Sequence, residues 1–140
     1  DLYAAGGAAV VSGQGDTLCG YALRKLASTG NNTFFFGHSG TFPAGSFTAL
    51  FRVYIGVISS GSIGQMDVSG SGTANPSGPN VTNRSRSVST SDFTNGQYRY
   101  FPVDFDRTSN GGGIEFRWLN ANTLADLYLD HILIVPRIVR

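Results

Sequence analysis

A carboxylate and an imidazole stand side by side in the most apolar run of this sequence: Asp130 and His131 in LYLDHILIV, residues 127–135. An acid in a core strand needs a partner. One answer is that it accepts backbone N–H bonds at a bend, as a satisfied buried acid. His131, as its neighbour, should face outward and be structural. The other histidine, His38, sits far away in a GHSG loop, so the two do not form a metal site. Nucleophilic catalysis would need a serine on a strained elbow with a histidine and an acid. The candidates GHSGT (37–41) and GSGTA (70–74) read as turns instead. Glycosidic chemistry would need two carboxyls across a cleft, and Glu115 with Asp104 or Asp106 is the candidate set. Glu115 and Arg117, however, alternate with the apolar Ile114, Phe116 and Trp118, and so read as a surface ion pair. The glycines at 111–113 join two strands and lack the following helix and lysine of a phosphate loop. The expectation is a protein that is not an enzyme.

The elements that would carry these residues are strands. Gly, Ser, Asn and Pro punctuate short runs of aromatic and branched residues, and no long 3.6-residue period appears. In SFTALFRVYIGV (46–57), Phe47, Ala49, Phe51, Val53 and Ile55 alternate with Thr48, Leu50, Arg52 and Tyr54, as in a sandwich strand. QYRYFPVDF (97–105) alternates likewise, with Tyr98, Tyr100 and Pro102 opposite Arg99, Phe101, Val103 and Phe105. GYALRKLAS (20–28) reads as a strand ending in polar residues, and GQMDV (64–68) as another. NRSRSVS (83–89) reads as an edge strand with outward arginines that discourage further pairing. Segment 1–17 is expected to be extended and 69–80 a flexible loop. About eight or nine strands with short connections predict one domain over 1–140, an all-β antiparallel two-sheet sandwich.

Composition narrows the partners. The net charge is +1 and charged residues are only 14%, so no field gathers nucleic acid or an anionic membrane. There is no apolar run of membrane-spanning length. Cys19 is the one cysteine, which rules out an intrachain disulfide and a cysteine zinc site. Lys25 is the one lysine among ten basic residues.

Taken in order, GYALR (20–24), FPAGSFTALFRVYI (42–55), QMDV (65–68), SRSVSTSDF (85–93), YRYFPVDF (98–105), GGIEFRW (112–118) and LYLDHILIV (127–135) resemble the galactose-binding-like jelly-roll domains. The likeness is to the calcium-binding carbohydrate-binding modules of bacterial glycoside hydrolases, and it covers roughly residues 18–135. It implies a structural Ca2+ held by Asp130. The partner glutamate of the family's first strand is missing, and Asp1 and Asp16 are the only N-terminal acids; Asp16 is the second candidate ligand.

Sugars are bound by flat aromatic faces with planar amides around the hydroxyls. Trp118, Asn120 and Asn122, with Tyr98 and Tyr100 on the preceding strand, are the expected carbohydrate-binding set. Trp118 alternates with Ile114 and Phe116, which equally suits a core position. Arg52 and Tyr54 on the outer sheet face are the alternative lining, suited to a longer glycan chain. The expected role is extracellular recognition of a polysaccharide or cell-surface glycan. The alternative is a phage or viral surface protein, a capsid decoration or tail-fibre domain working by self-association on a virion shell.

Overall fold

The computed structural model describes residues 2–14, 16–37, 43–70, 81–82, 85–94, 96–107 and 114–138. Eleven strands lie among them: β1 Leu2–Ala4, β2 Ala9–Ser12, β3 Tyr21–Lys25, β4 Phe35–Gly37, β5 Gly45–Val57, β6 Ser62–Gly70, β7 Val81–Thr82, β8 Ser85–Ser89, β9 Arg99–Arg107, β10 Ile114–Leu119 and β11 Ala125–Pro136. One sheet runs β1-β4-β10-β6-β8 and the other β2-β3-β11-β5-β9-β7. The ladders are antiparallel throughout. Without the short β1, β2 and β7, eight strands remain. They pair as β3 with β11, β4 with β10, β5 with β9 and β6 with β8. Contacts of β11 with β5 and of β10 with β6 then close the roll. This is the strand order of a jelly roll. Before β3, the short β1 and β2 each add an edge strand to one sheet.

The core lies between the sheets, where the alternation places it. Phe47, Ala49, Phe51, Val53 and Ile55 of β5 are buried with Phe101, Val103 and Phe105 of β9. From the other sheet come Met66, Val68, Ile114 and Trp118. Trp118 is 0% exposed. Its indole Nε1 donates to the Ile63 carbonyl at 3.1 Å, and its ring meets Phe34 edge-on at 5.8 Å. Gly64 makes room for it. At φ 119°, a Cβ there would lie 2.5 Å from both the indole nitrogen and the Leu119 carbonyl.

Two polar expectations change. Arg117 is 5% exposed, and its main partner is Asp67, at 0%, the residue opposite it on β6. Nε donates to Oδ1 at 2.8 Å and Nη2 to Oδ2 at 2.7 Å, with Glu115 only a 3.8 Å neighbour. The Asp67 hydrogen bond, working against burial, raises the Arg117 pKa further. Lys25 is also buried; its ammonium donates to the Gly30 carbonyl at 2.6 Å, and burial lowers its pKa against the pull of Asp126. β8 is indeed an edge strand, but Arg86 shares the inward face of Val88 and lies 5.2 Å over the Phe101 ring, so it does not point outward. Arg84, His38, Ser39, Ser71 and the glycines at 111–113 lie outside the described residues, as does 71–80 of the expected loop.

Removing one partner of a buried ion pair strands the other charge, whereas replacing both with apolar residues is often neutral. Arg117→Leu is therefore expected to lower stability by about 3–5 kcal/mol. The double variant Asp67→Leu/Arg117→Leu should recover most of that loss. Urea unfolding of the three chains checks it, and a double variant as unstable as the single one would show that the pair is not the source.

Candidate functional site

The constellation with the most chemistry lies on the outer face of the six-stranded sheet, where β11, β5 and β9 run side by side. On β5 the odd residues fill the core, so Arg52 and Tyr54 point out. On β9 the same alternation presents Tyr100, and Tyr98 stands just before the strand begins at Arg99. Register sets Tyr128 opposite Tyr54 and Tyr100 opposite Arg52.

β11 carries the departure that completes the site. Leu129 pairs with Val53 and His131 with Arg52, leaving Asp130 as an extra residue between them. Such a bulge reverses the sense of alternation beyond it. Ala125, Leu127 and Leu129 face the core before the bulge, and Ile132 and Ile134 pack against it afterwards. Adjacent residues Asp130 and His131 thus both come to the outer side. His131 faces outward as expected, and its Nε2 lies 3.0 Å from the Tyr100 hydroxyl.

Asp130 meets the Arg52 guanidinium there. Arg52 Nη1 donates to Asp130 Oδ2 and to the Asp16 carbonyl, while Nη2 reaches Asp16 Oδ2 at 3.1 Å. The Leu18 amide donates to both Asp130 oxygens, at 3.0 and 3.2 Å. His131 Nδ1 lies 3.0 Å from Asp130 Oδ2 without the geometry of a hydrogen bond. The Asp130 side chain is 2% exposed, that of Asp16 78%. Burial lowers the Arg52 pKa, but the hydrogen bond and charge of Asp130, with Asp16 and Tyr100, outweigh it and raise it overall.

The structure therefore brings Asp130 and Asp16 together around a guanidinium. Calcium would need six to eight oxygens with carboxylate lone pairs turned to it. Here both Asp130 oxygens and Asp16 Oδ2 accept from N–H donors, and a fixed positive charge sits between the two acids. As arranged, the groups fit Arg52 and do not fit a calcium ion. Among the described residues, no group of three or more His, Cys, Asp or Glu side chains converges.

Around this knot the tyrosines form a continuous aromatic surface. Tyr54 lies 5.6 Å from Tyr98 and 5.3 Å from Tyr128, ring to ring, and Arg52 stacks 4.7 Å over Tyr98. An open cleft of about 340 Å³ is lined by Tyr54, Tyr98 and Tyr128, with Gly13, Gln14, Asp16 and Gly96 as walls. A second, of about 410 Å³, continues past Asp16 to Thr17, Leu18, Arg52, Tyr100 and His131. The Tyr98 hydroxyl is buried and has no hydrogen-bond partner.

Of the expected sugar contacts, Tyr98 and Tyr100 meet here and the other three do not. Trp118 is a core residue of the opposite sheet and offers no face to a ligand. Asn120 is exposed on the β10–β11 turn, with a left-handed φ of 55°. Asn122 staples that turn: its amide nitrogen donates to the Ser62 carbonyl, and its oxygen accepts from the Leu124 amide at 3.0 Å. The alternative lining, Arg52 and Tyr54, is present. Tyr128 escaped notice, although its place between Leu127 and Leu129 signals an outward ring. Asp104 and Asp106 are tied to Arg137 at 3.1 and 2.8 Å on β9, whereas Glu115 belongs to the outer side of the other sheet, so no cleft joins them.

No known family model matches the chain, and no curated protein matches it.

Burial first, then the negative charge of Asp130, pushes the Tyr98 phenol from 10.0 up to about 12, with Arg52 pulling the other way. The folded chain thus holds this proton more tightly than the unfolded chain does. The associated stability is present below pH 10.0 and is lost as pH rises through about 12. Tyr98 is expected to contribute a late-ionising component to an ultraviolet titration. That component should vanish in Tyr98→Phe; its persistence would assign the buried phenol elsewhere.

Proposed function

We propose that this chain is a non-catalytic carbohydrate-binding domain whose glycan lies along the tyrosine clefts of β5, β9 and β11. The observation that carries this reading is the joined surface of Tyr54, Tyr98 and Tyr128, bordered by Gln14 and Asp16. Aromatic faces stack on the C–H faces of a sugar ring, and a tyrosine hydroxyl, an amide and a carboxylate suit its hydroxyls. The exposed ring of Tyr100 extends the surface past Asp16, which suits a linear chain over a single terminal sugar. The role places the domain outside the cell.

A second reading is assembly with copies of itself, on a virion or fibre surface. It is favoured by the exposed apolar side chains of Leu2, Val10 and Tyr21, which line a separate cleft beside β3. The clefts then serve a partner protein or nothing at all.

Calorimetry against short neutral oligosaccharides of the cello-, xylo-, manno- and galacto-series separates the two, together with sedimentation of the same sample. One series should bind a monomer of 14.8 kDa, with affinity rising with chain length. Tyr98→Ala should weaken it about tenfold, which corresponds to about 1.4 kcal/mol. Trp118→Phe should leave affinity unchanged. A stable oligomer that binds no series would favour assembly.

A further inference from the structure

Asp130 lines neither tyrosine cleft, yet it is the most buried charge on this face and is held by donors from two elements. Those donors share one feature. The Leu18 amide belongs to the segment whose residues Gly13, Gln14 and Asp16 wall the cleft. Arg52, fixed by Asp130 through Nη1, holds the backbone carbonyl of Asp16 with the same nitrogen and its carboxylate with Nη2. Gln14 is tied into the same turn, because its carbonyl accepts from the Thr17 amide at 3.0 Å and the Thr17 hydroxyl at 2.7 Å. Every link from the β11 bulge to the cleft wall is thus a named hydrogen bond, and an arginine supplies the positive charge at its centre.

We propose that Arg52 and Asp130 form a metal-independent latch that fixes this wall, with Asp130 acting as a positioning residue for the cleft. The latch holds Gln14 and Asp16 over the tyrosine floor, so a ligand meets them preorganised and does not have to order them on binding. Calcium adds nothing to the latch, because its charge is already present in Arg52. The proposal rests on the carbohydrate reading only for what the cleft holds; the latch itself can be read without any ligand.

The test is hydrogen exchange of the full chain, read at the Leu18 amide, with calcium and with EDTA. In the unaltered chain this amide is expected to be protected equally in both. Asp130→Asn and Arg52→Met should each speed its exchange about tenfold or more, as hydrogen bonds to a charged group are lost. Asp16→Ala, at an exposed position that does not endanger folding, should speed it about threefold, because Arg52 and Asp130 remain. Unchanged Leu18 exchange in folded Asp130→Asn overturns the latch. If that variant does not fold, unchanged exchange in Asp16→Ala overturns it instead. So does exchange in the unaltered chain that EDTA speeds and calcium slows. On the same oligosaccharides, Asp130→Asn should weaken binding about tenfold, well below its melting temperature, although Asp130 touches no ligand. Arg117→Lys, a comparable disturbance in the opposite sheet, should leave binding within about twofold. If no oligosaccharide binds while Leu18 exchange behaves as expected, the carbohydrate reading fails and the latch stands.

Discussion

One extra residue in β11 decides what this face of the protein can be. Without the bulge, strict alternation would turn His131 into the core and Ile132 and Ile134 out to solvent. With it, two neighbouring polar side chains leave the core together, and the apolar set re-enters it one step later. Asp130 then stands beside Arg52, which the unbroken alternation of β5 already directs outward. Charge pairing at that point draws in the N-terminal segment, which becomes a wall. An acid in an apolar strand is tolerated because the strand is irregular there and because N–H donors meet its oxygens.

The two ion pairs of the sandwich show how location decides their meaning. Asp67 and Arg117 are directly opposed on β6 and β10 and wholly buried, so their desolvation is large and each depends on the other. Arg52 and Asp130 are also shielded, but Arg52 extends to an exposed carboxylate and lies over an aromatic ring. The first pair is confined to the frame; the second connects frame to surface. Four tyrosines gather around the second, and their hydroxyls and ring faces give that surface its capacity for mixed polar and apolar contact.

Much of the frame was legible in the residues. The alternation of β5 and β9 named the core faces correctly, since both strands are regular over their whole length. The bulge was not legible beyond the suggestion of a bend at Asp130, because residues 132–135 are all apolar and suit either register. Leu133 and Val135 would continue the spacing of Leu127 and Leu129, and only the pairing with β5 selects Ile132 and Ile134 as the inward set. Trp118 illustrates the opposite case: its alternation with Ile114 and Phe116 placed it in the core, while its rarity invited a binding role. What could not be read were pairings across the fold. Arg117 finds Asp67 only through the register of two strands 50 residues apart in sequence. Lys25 is buried only because a turn carbonyl happens to meet its ammonium. Asp16 reaches Arg52 through a segment whose path no local pattern dictates.

The most direct measurement is a crystal structure of the chain grown with calcium in the medium. Arg52 is expected to bridge Asp130 and Asp16 there, with Asp130 unpaired in the β11 ladder and His131 beside Tyr100. A calcium ion bound to Asp130, with the guanidinium of Arg52 turned away, would contradict the organisation of this face around an internal cation.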